Sequence, residues 1–207
     1  MKALLVDDHA MFRDGLSLLI AHRFANVELL HAGNLAQALA QLARHADLDV
    51  VLLDLALPDS SGLEALTRLR ETDTWARIVV LSADDTPTTV QGAIEQGAAG
   101  FIPKTAEGAV LEAALRVVLD GGIYVPPRML GASGAPADAS TLGLSPRQLD
   151  VLRWLIEGAP NKRICRELNL AESTVKTHVE AIFRRLDVNN RTQAVLAAAR
   201  LGLRLPR

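Results

Sequence analysis

Three times within residues 1–82 the chain runs four apolar residues together and stops on an Asp or a Ser. Ala3-Leu4-Leu5-Val6 precedes Asp7, Val50-Val51-Leu52-Leu53 precedes Asp54, and Ile78-Val79-Val80-Leu81 precedes Ser82. Runs this short and this apolar suit strands buried on both faces, the condition of inner strands in a parallel sheet covered by helices. They place strands over 2–6, 50–53 and 78–81, and weaker β-rich stretches add 27–31 and 100–102. Apolar residues recur at helical spacing over 11–23, 35–44, 62–71, 88–95 and 107–119. Five strand–helix repeats predict an α/β domain with a doubly wound, five-stranded parallel sheet.

In such a sheet, ligands bind beyond the C-terminal ends of the strands. The polar residues expected there are Asp7 and Asp8 after the first strand, Asp54 after the third, Ser82 after the fourth and Lys104 after the fifth. Taken singly, each has a plainer role: an Asp after a strand is usually a turn or cap residue, Ser82 could cap the next helix, and Lys104 could be a solvated surface charge. Together they make a site, since all five fall on one edge and the opposite edge is expected to carry no strand-end charge. Three carboxylates in one place repel unless a cation joins them, and oxygen ligands with room for water favour Mg²⁺. A carboxylate beside such a metal can attack phosphorus, with the metal and a Lys stabilising the phosphoryl charge.

The remainder of the chain has a different character. Residues 131–143 are rich in Gly, Ala, Ser and Pro, with Leu142 the one large apolar residue, which predicts a flexible linker. Ser145-Pro146-Arg147-Gln148 then reads as a capping box, followed by helical stretches at 146–157, 162–168, 173–186 and 191–199, the last opened by Asn190 with Gln193 three residues on. Charge divides along the same line. Up to residue 120 there are nine Lys and Arg against 17 Asp and Glu, and from 121 onward thirteen against seven. A basic all-helical unit of four short helices points to a helix-turn-helix variant with nucleic acid as partner. On a helical projection of 173–186, Val175, Val179, Ile182, Phe183 and Leu186 share one side. Thr177, Glu180, Ala181 and Arg184 lie opposite, flanked by Lys176, His178 and Arg185. A charged helix face is more often merely solvated, but here a short helix precedes it across a tight turn at 169–172.

Other classes fit less well. The single cysteine, Cys165, rules out an intrachain disulfide framework or a Cys-rich zinc site, and is expected to be a small core residue. No apolar run nears the roughly 18 residues of a membrane span, and two Asp interrupt the N-terminus before a secretory h-region could form, so a cytoplasmic protein without membrane partners is expected. Phosphate-binding Gly-x4-Gly-Lys, zinc His-Glu-x2-His and nucleophile Gly-x-Ser-x-Gly motifs are all missing from the sequence.

The segments VDDH at 6–9, DLALPDSSG at 54–62, LSA at 81–83 and GFIPK at 100–104 resemble the receiver-domain signature of bacterial two-component response regulators, a flavodoxin-like fold. The resemblance implies that Asp54 accepts a phosphoryl group from a sensor histidine kinase and that Asp7 and Asp8 position Mg²⁺ with it, Asp8 directly. It further implies that Ser82 hydrogen-bonds the phosphoryl group, that Lys104 pairs with it, and that Phe101 is a switch aromatic which turns inward on activation; the plainer alternative for Phe101 is a permanently buried core ring. Ala56, two residues after Asp54, has no side chain to orient or block an attacking water.

Residues 144–195, with LSPRQLDVL, Asn161-Lys162, Ile164, STVKTHV, Leu186 and Arg191, resemble the four-helix DNA-binding domain of NarL/FixJ-type (LuxR-like) regulators. That resemblance implies base-facing positions at Lys176, Thr177 and Glu180, with Asn161, Lys162, Ser173 and Thr174 near phosphates and Arg184 on the same DNA-binding surface. Two residues depart from the family pattern. Glu180 stands where relatives often carry Lys and would accept from a cytosine amino group, and Arg147-Gln148 replaces an Arg-Glu pair, removing a familiar salt bridge.

The expected organisation is thus a receiver at 1–120, a linker at 121–143 and a LuxR-type helix-turn-helix domain at 144–207. The expected function is phosphorylation-controlled promoter binding as a homodimer, not catalysis on a separate substrate. A regulator that is not phosphorylated usually lacks one of the acidic or Lys positions, here Asp7, Asp8, Asp54 and Lys104. An acyl-lactone sensor would need more aromatic residues than Phe12, Phe24, Trp75 and Phe101, and an aspartyl-phosphate hydrolase would need a second Asp two residues after Asp54.

Overall fold

The computed structural model describes residues 1–72, 76–129, 143–157, 159 and 161–201, without the side chains of residues 128, 162, 199 and 200. Two compact units are formed, Met1–Leu119 and Asp120–Arg207. The expected linker at 131–143 lies outside the described residues except for Gly143, while Pro127–Met129, within the stretch expected to be linker, forms a short 3-10 turn.

In the first unit, β1 (Lys2–Val6), β2 (Glu28–Ala32), β3 (Val50–Asp54), β4 (Arg77–Ser82) and β5 (Gly100–Pro103) alternate with α1 (Ala10–Arg23), α2 (Leu35–Arg44), α3 (Glu64–Arg70), α4 (Pro87–Glu95) and α5 (Gly108–Leu119). All neighbouring strands are parallel, in the order β2-β1-β3-β4-β5. The order reverses between β1 and β3, which opens a crevice at their C-terminal ends. The register there pairs Val6 with Leu53, Asp54 with Leu81 and Ser82 with Pro103, so the polar residues that end β1, β3 and β4 stand side by side.

One expectation about strands changes. Asp54 and Ser82 are the last residues of their strands rather than residues beyond them. β5 is buried along its whole length despite its edge position, because α4 and α5 pack on it; Gly100 and Pro103 disguise this in the sequence. β2 is the half-exposed edge.

Helix starts follow local chemistry. Asn34 caps α2 by accepting the Gln37 N–H at 2.8 Å. Thr86, not Ser82, caps α4, with Pro87 preset for the first turn. Helix α3 starts two residues later than the periodicity predicts, since Gly62 holds a φ of +52°, outside helical space.

The opposite edge of the sheet is charged, contrary to the sequence expectation. Lys2 Nζ lies 2.8 Å from Asp47 and 3.8 Å from Glu28, and the Lys2 N–H donates to Asp49 at 2.8 Å. Burial pulls the Arg77 guanidinium below its usual pKa, opposed by nearby Asp49. Lys2 is paired there with Asp47 and Glu28, and Arg77 lies close enough to Asp49 to feel its charge. The C-terminal edge instead gathers like charges, which is the difference that matters chemically.

The second unit contains α6 (Pro146–Ile156), α7 (Asn161–Leu168), α8 (Glu172–Leu186) and α9 (Arg191–Arg200). Both limbs of the capping box at Ser145 and Gln148 are present. Asn190 accepts the Gln193 N–H at 2.9 Å, and the Gln193 side chain accepts the Asn189 N–H at 2.8 Å. The core comprises Val151, Leu152, Leu155, Ala159, Ile164, Val175 and Ile182, with half-buried Cys165, Val179, Phe183 and Leu186 packed against it. Arg191 seals one side by donating to the carbonyls of Leu155 at 3.1 Å and Ala159 at 2.7 Å, which lie at and beyond the end of α6. Arg147 donates to the Leu168 carbonyl and lies 3.6 Å from Asp150; the guanidinium is engaged without the Arg-Glu pair that the sequence lacks.

Candidate functional site

β1 and β3 carry two carboxylates into the interior: Asp7 is 0% and Asp54 1% exposed. Lys104, reached by the turn after β5, lies between them with Nζ 2.6 Å from Asp54 Oδ2 and 2.7 Å from Asp7 Oδ2. The second contact is an ion pair off the hydrogen-bond direction, so Asp7 Oδ2 is buried with no hydrogen-bond donor. The ammonium also sits 4.7 Å from the centroid of the Phe12 ring, a cation–π contact on its apolar side. Asp7 Oδ1 accepts the His9 N–H at 2.9 Å and Asp54 Oδ1 the Ala56 N–H at 3.2 Å, so backbone turns fix both carboxylates. Arg13, from α1, donates to the Asp7 carbonyl at 2.5 Å.

Asp8 follows in the next loop and is partly open to solvent. Ser82 is buried at the end of β4; its hydroxyl accepts the Asp84 N–H at 3.1 Å and retains its own proton to donate. Lys104 donates its backbone N–H to the Ser82 carbonyl at 2.8 Å, locking the ends of β4 and β5 together. Phe101 is fully buried. Five of the six receiver residues picked out by sequence therefore converge on the crevice, and the sixth, Phe101, lies on β5 three residues before Lys104.

The crevice opens into a cleft of about 940 Å³, whose mostly apolar wall includes Met11, Phe12, Leu55, Ala56, Leu63 and Ala83. One donor atom from each of Asp7, Asp8, His9 and Asp54 lies within 4.8 Å of the others. Three carboxylates against one ammonium leave excess negative charge, much of it desolvated. A divalent cation relieves that excess, and carboxylate oxygens open to water on the Asp8 side fit Mg²⁺ chemistry.

In the second unit, Ser173, Lys176, Thr177, Glu180 and Arg184 are exposed on α8, and Thr174 is half-buried. At 100° per residue they form a stripe centred on Thr177, Glu180 and Arg184, opposite the buried Val175 and Ile182. The Thr177 hydroxyl donates to the Ser173 carbonyl at 3.0 Å. Asn161 is half-buried at the start of α7, and the Lys162 side chain lies outside the described residues. Asn169, with φ of 52°, makes the turn between α7 and α8.

Sequence reasoning missed His9, Phe12 and Arg13 at the crevice. His9 was visible in the VDDH run, but nothing local indicated that its ring turns back to the carboxylates. It also missed Asp59, which reaches from the β3–α3 loop to accept the Leu35 and Ala36 N–H groups at 2.8 and 2.9 Å. Burial would raise the Asp59 pKa, but the Ala36 and Leu35 amides outweigh it and hold the carboxyl below its usual value.

The family described as "Response regulator receiver domain" matches residues 3–116, and that described as "Bacterial regulatory proteins, luxR family" matches residues 142–198. The chain is 36% identical to the glycerol metabolism activator of Pseudomonas putida, over 95% of this chain and 94% of that protein. It is 34% identical to the nitrate/nitrite response regulator NarL of Escherichia coli K12, over 93% and 92% respectively. A LuxR family DNA-binding response regulator from Silicibacter pomeroyi has a solved structure similar to 62% of this chain and 98% of its own, with TM-score 0.54 and 32% identity.

Proposed function

The chain belongs to the DNA-binding transcriptional response regulators that join a receiver domain to a LuxR-type helix-turn-helix domain, and on that premise we propose that phosphorylation of Asp54 controls its binding to promoters. The observation that carries this reading is the ammonium of Lys104 held between two buried carboxylates, Asp54 and Asp7. One Asp54 oxygen attacks phosphorus, the bond from phosphorus to the donor's imidazole nitrogen breaks, and the imidazole leaves with that electron pair and takes up a proton. Lys104 follows the charge onto the phosphoryl oxygens, and the Ser82 hydroxyl donates to one of them. Mg²⁺ held by Asp7, Asp8 and Asp54 would neutralise phosphoryl charge there. Asp7 and Asp8 are the principal metal positions, since Asp54 must also react.

The donor is a sensor histidine kinase. Phe101, buried on β5 three residues before Lys104, couples the state of Ser82 to the domain surface as the switch aromatic. The output acts through a homodimer on two half-sites, because one small helical domain covers too few base pairs for high specificity. Lys176, Thr177 and Glu180 face bases, Asn161, Lys162, Ser173 and Thr174 face phosphates, and Arg184 extends the surface on α8. The receiver spans 1–120, the linker 121–143 and the DNA-binding domain 144–207. Apart from accepting and slowly losing its own phosphoryl group, the protein catalyses nothing. Among the described residues no helix is long and apolar enough to cross a membrane, and the function is carried out in the cytoplasm.

Incubation with acetyl phosphate and Mg²⁺, read by intact mass, tests the assignment. One phosphoryl group is expected on the wild type and none on Asp54→Asn. Full labelling of the Asn variant removes Asp54 from the mechanism.

A further inference from the structure

The acidic corner contains a fourth donor that the phosphoryl reading leaves unused. His9 precedes α1 as its N-cap residue, yet makes no side-chain cap hydrogen bond. Its ring turns toward the carboxylates instead, with Nδ1 2.8 Å from Asp8 Oδ1, 3.4 Å from Asp7 Oδ1 and 3.9 Å from Asp54 Oδ2. Ligands bound at about 2.0–2.2 Å to one first-row divalent ion stand roughly 3.0 Å apart when adjacent in an octahedron, about 3.4 Å in a tetrahedron and about 4.2 Å when opposite. The three distances from Nδ1 fall close to or within that span, so little rearrangement would bring imidazole and carboxylates onto one ion.

The added nitrogen changes which ion is preferred. Mg²⁺ holds oxygen ligands and keeps its waters, whereas imidazole suits borderline transition metals. We propose that His9 completes a mixed nitrogen–oxygen ligand set with Asp7, Asp8 and Asp54. Through that set the receiver crevice binds Mn²⁺, Co²⁺ and Zn²⁺ with an imidazole ligand that Mg²⁺ does not use. The cost is the Asp8–His9 contact, which opens as the ring binds the ion. The proposal rests on the reading that this corner is a divalent-cation site.

The full-length wild type, His9→Ala and Asp8→Ala are titrated calorimetrically with Mg²⁺ and Co²⁺ at about pH 8. Pulsed electron paramagnetic resonance of bound Mn²⁺ reads nitrogen coupling directly. Nitrogen modulation is expected in the wild type and lost in His9→Ala. Co²⁺ affinity should fall about tenfold or more in His9→Ala, while Mg²⁺ affinity stays within about twofold. Retained Mg²⁺ binding shows that the variant is folded and the site intact. Nitrogen modulation that survives in His9→Ala, or equal changes for both metals, overturns the role of His9. Absence of Mg²⁺ binding in the wild type, or its persistence in Asp8→Ala, overturns the cation site itself and the proposal with it.

Discussion

The two units solve opposite problems with charge. In the first, Asp7, Asp54 and Lys104 are drawn largely out of solvent at the ends of apolar strands. In the second, Ser173, Lys176, Thr177, Glu180 and Arg184 stay on the exposed side of α8 while Val175 and Ile182 carry its packing. Phosphoryl chemistry gains from burial, since low dielectric strengthens each fixed charge. Contact with a duplex needs side chains that reach base edges and phosphates from the surface. The difference teaches where each unit is vulnerable: the receiver through its charge balance, the helical unit through its small apolar core.

Removing the Lys104 ammonium tests the first half of that contrast most severely. Lys104→Met leaves Asp7 and Asp54 facing each other without compensation and should destabilise the receiver by about 3–5 kcal/mol. Mg²⁺ should restore part of the loss. Denaturant unfolding of full-length protein with and without Mg²⁺ measures this; unchanged stability would mean that the charges are not balanced as described.

The corresponding attack on the second unit is Ile182→Ala, which opens a cavity in a core of few large side chains. It should cost about 2–5 kcal/mol. Only the unfolding transition of the helical unit should move, followed through helix circular dichroism, while the receiver continues to accept phosphate.

A smaller effect is expected from surface changes. Lys176→Ala should weaken operator binding by about 1–3 kcal/mol, and Glu180→Ala should flatten the preference at one base pair of each half-site. Binding to a library randomised at single positions separates the two outcomes. If Glu180→Ala tightened binding equally on all sequences, the carboxylate would be a mere electrostatic burden.

The smallest expected effect concerns Asp59. Its carboxyl titrates below the usual value of 3.8 in the folded chain, so its contribution is present above that value and fades as pH falls through the lower, folded one. Asp59→Asn should therefore reduce receiver stability slightly near neutral pH and make no difference in strong acid. A pH series of unfolding midpoints for both proteins reads the sign.

Much of this was legible in the chain because the relevant signals are local. Apolar runs located β1, β3 and β4 to within a residue or so, and the polar residues that end them marked the crevice. Helical periodicity assigned Val175 and Ile182 to the core and Glu180 and Arg184 to the outside. Local patterns failed where a neighbour supplied the cover or the charge: β5 is buried by α4 and α5, and Lys2, Asp47 and Asp49 charge the edge expected to be bare.

The sequence by itself determined the strand and helix segments, the split between an acidic and a basic half, and the set of residue types able to hold and transfer a phosphoryl group. Tertiary structure alone decided which of them touch. Lys104 meets Asp54 across 50 positions, Asp59 reaches Leu35 across 24, and Arg191 finds the Leu155 carbonyl across 36. His9, adjacent to Asp8 in the chain, turns its ring toward Asp54 as well, which no spacing dictates. Periodicity records whether a side chain faces inward or outward. Its partner there is set by how strands and helices stack, and only the folded chain contains that information.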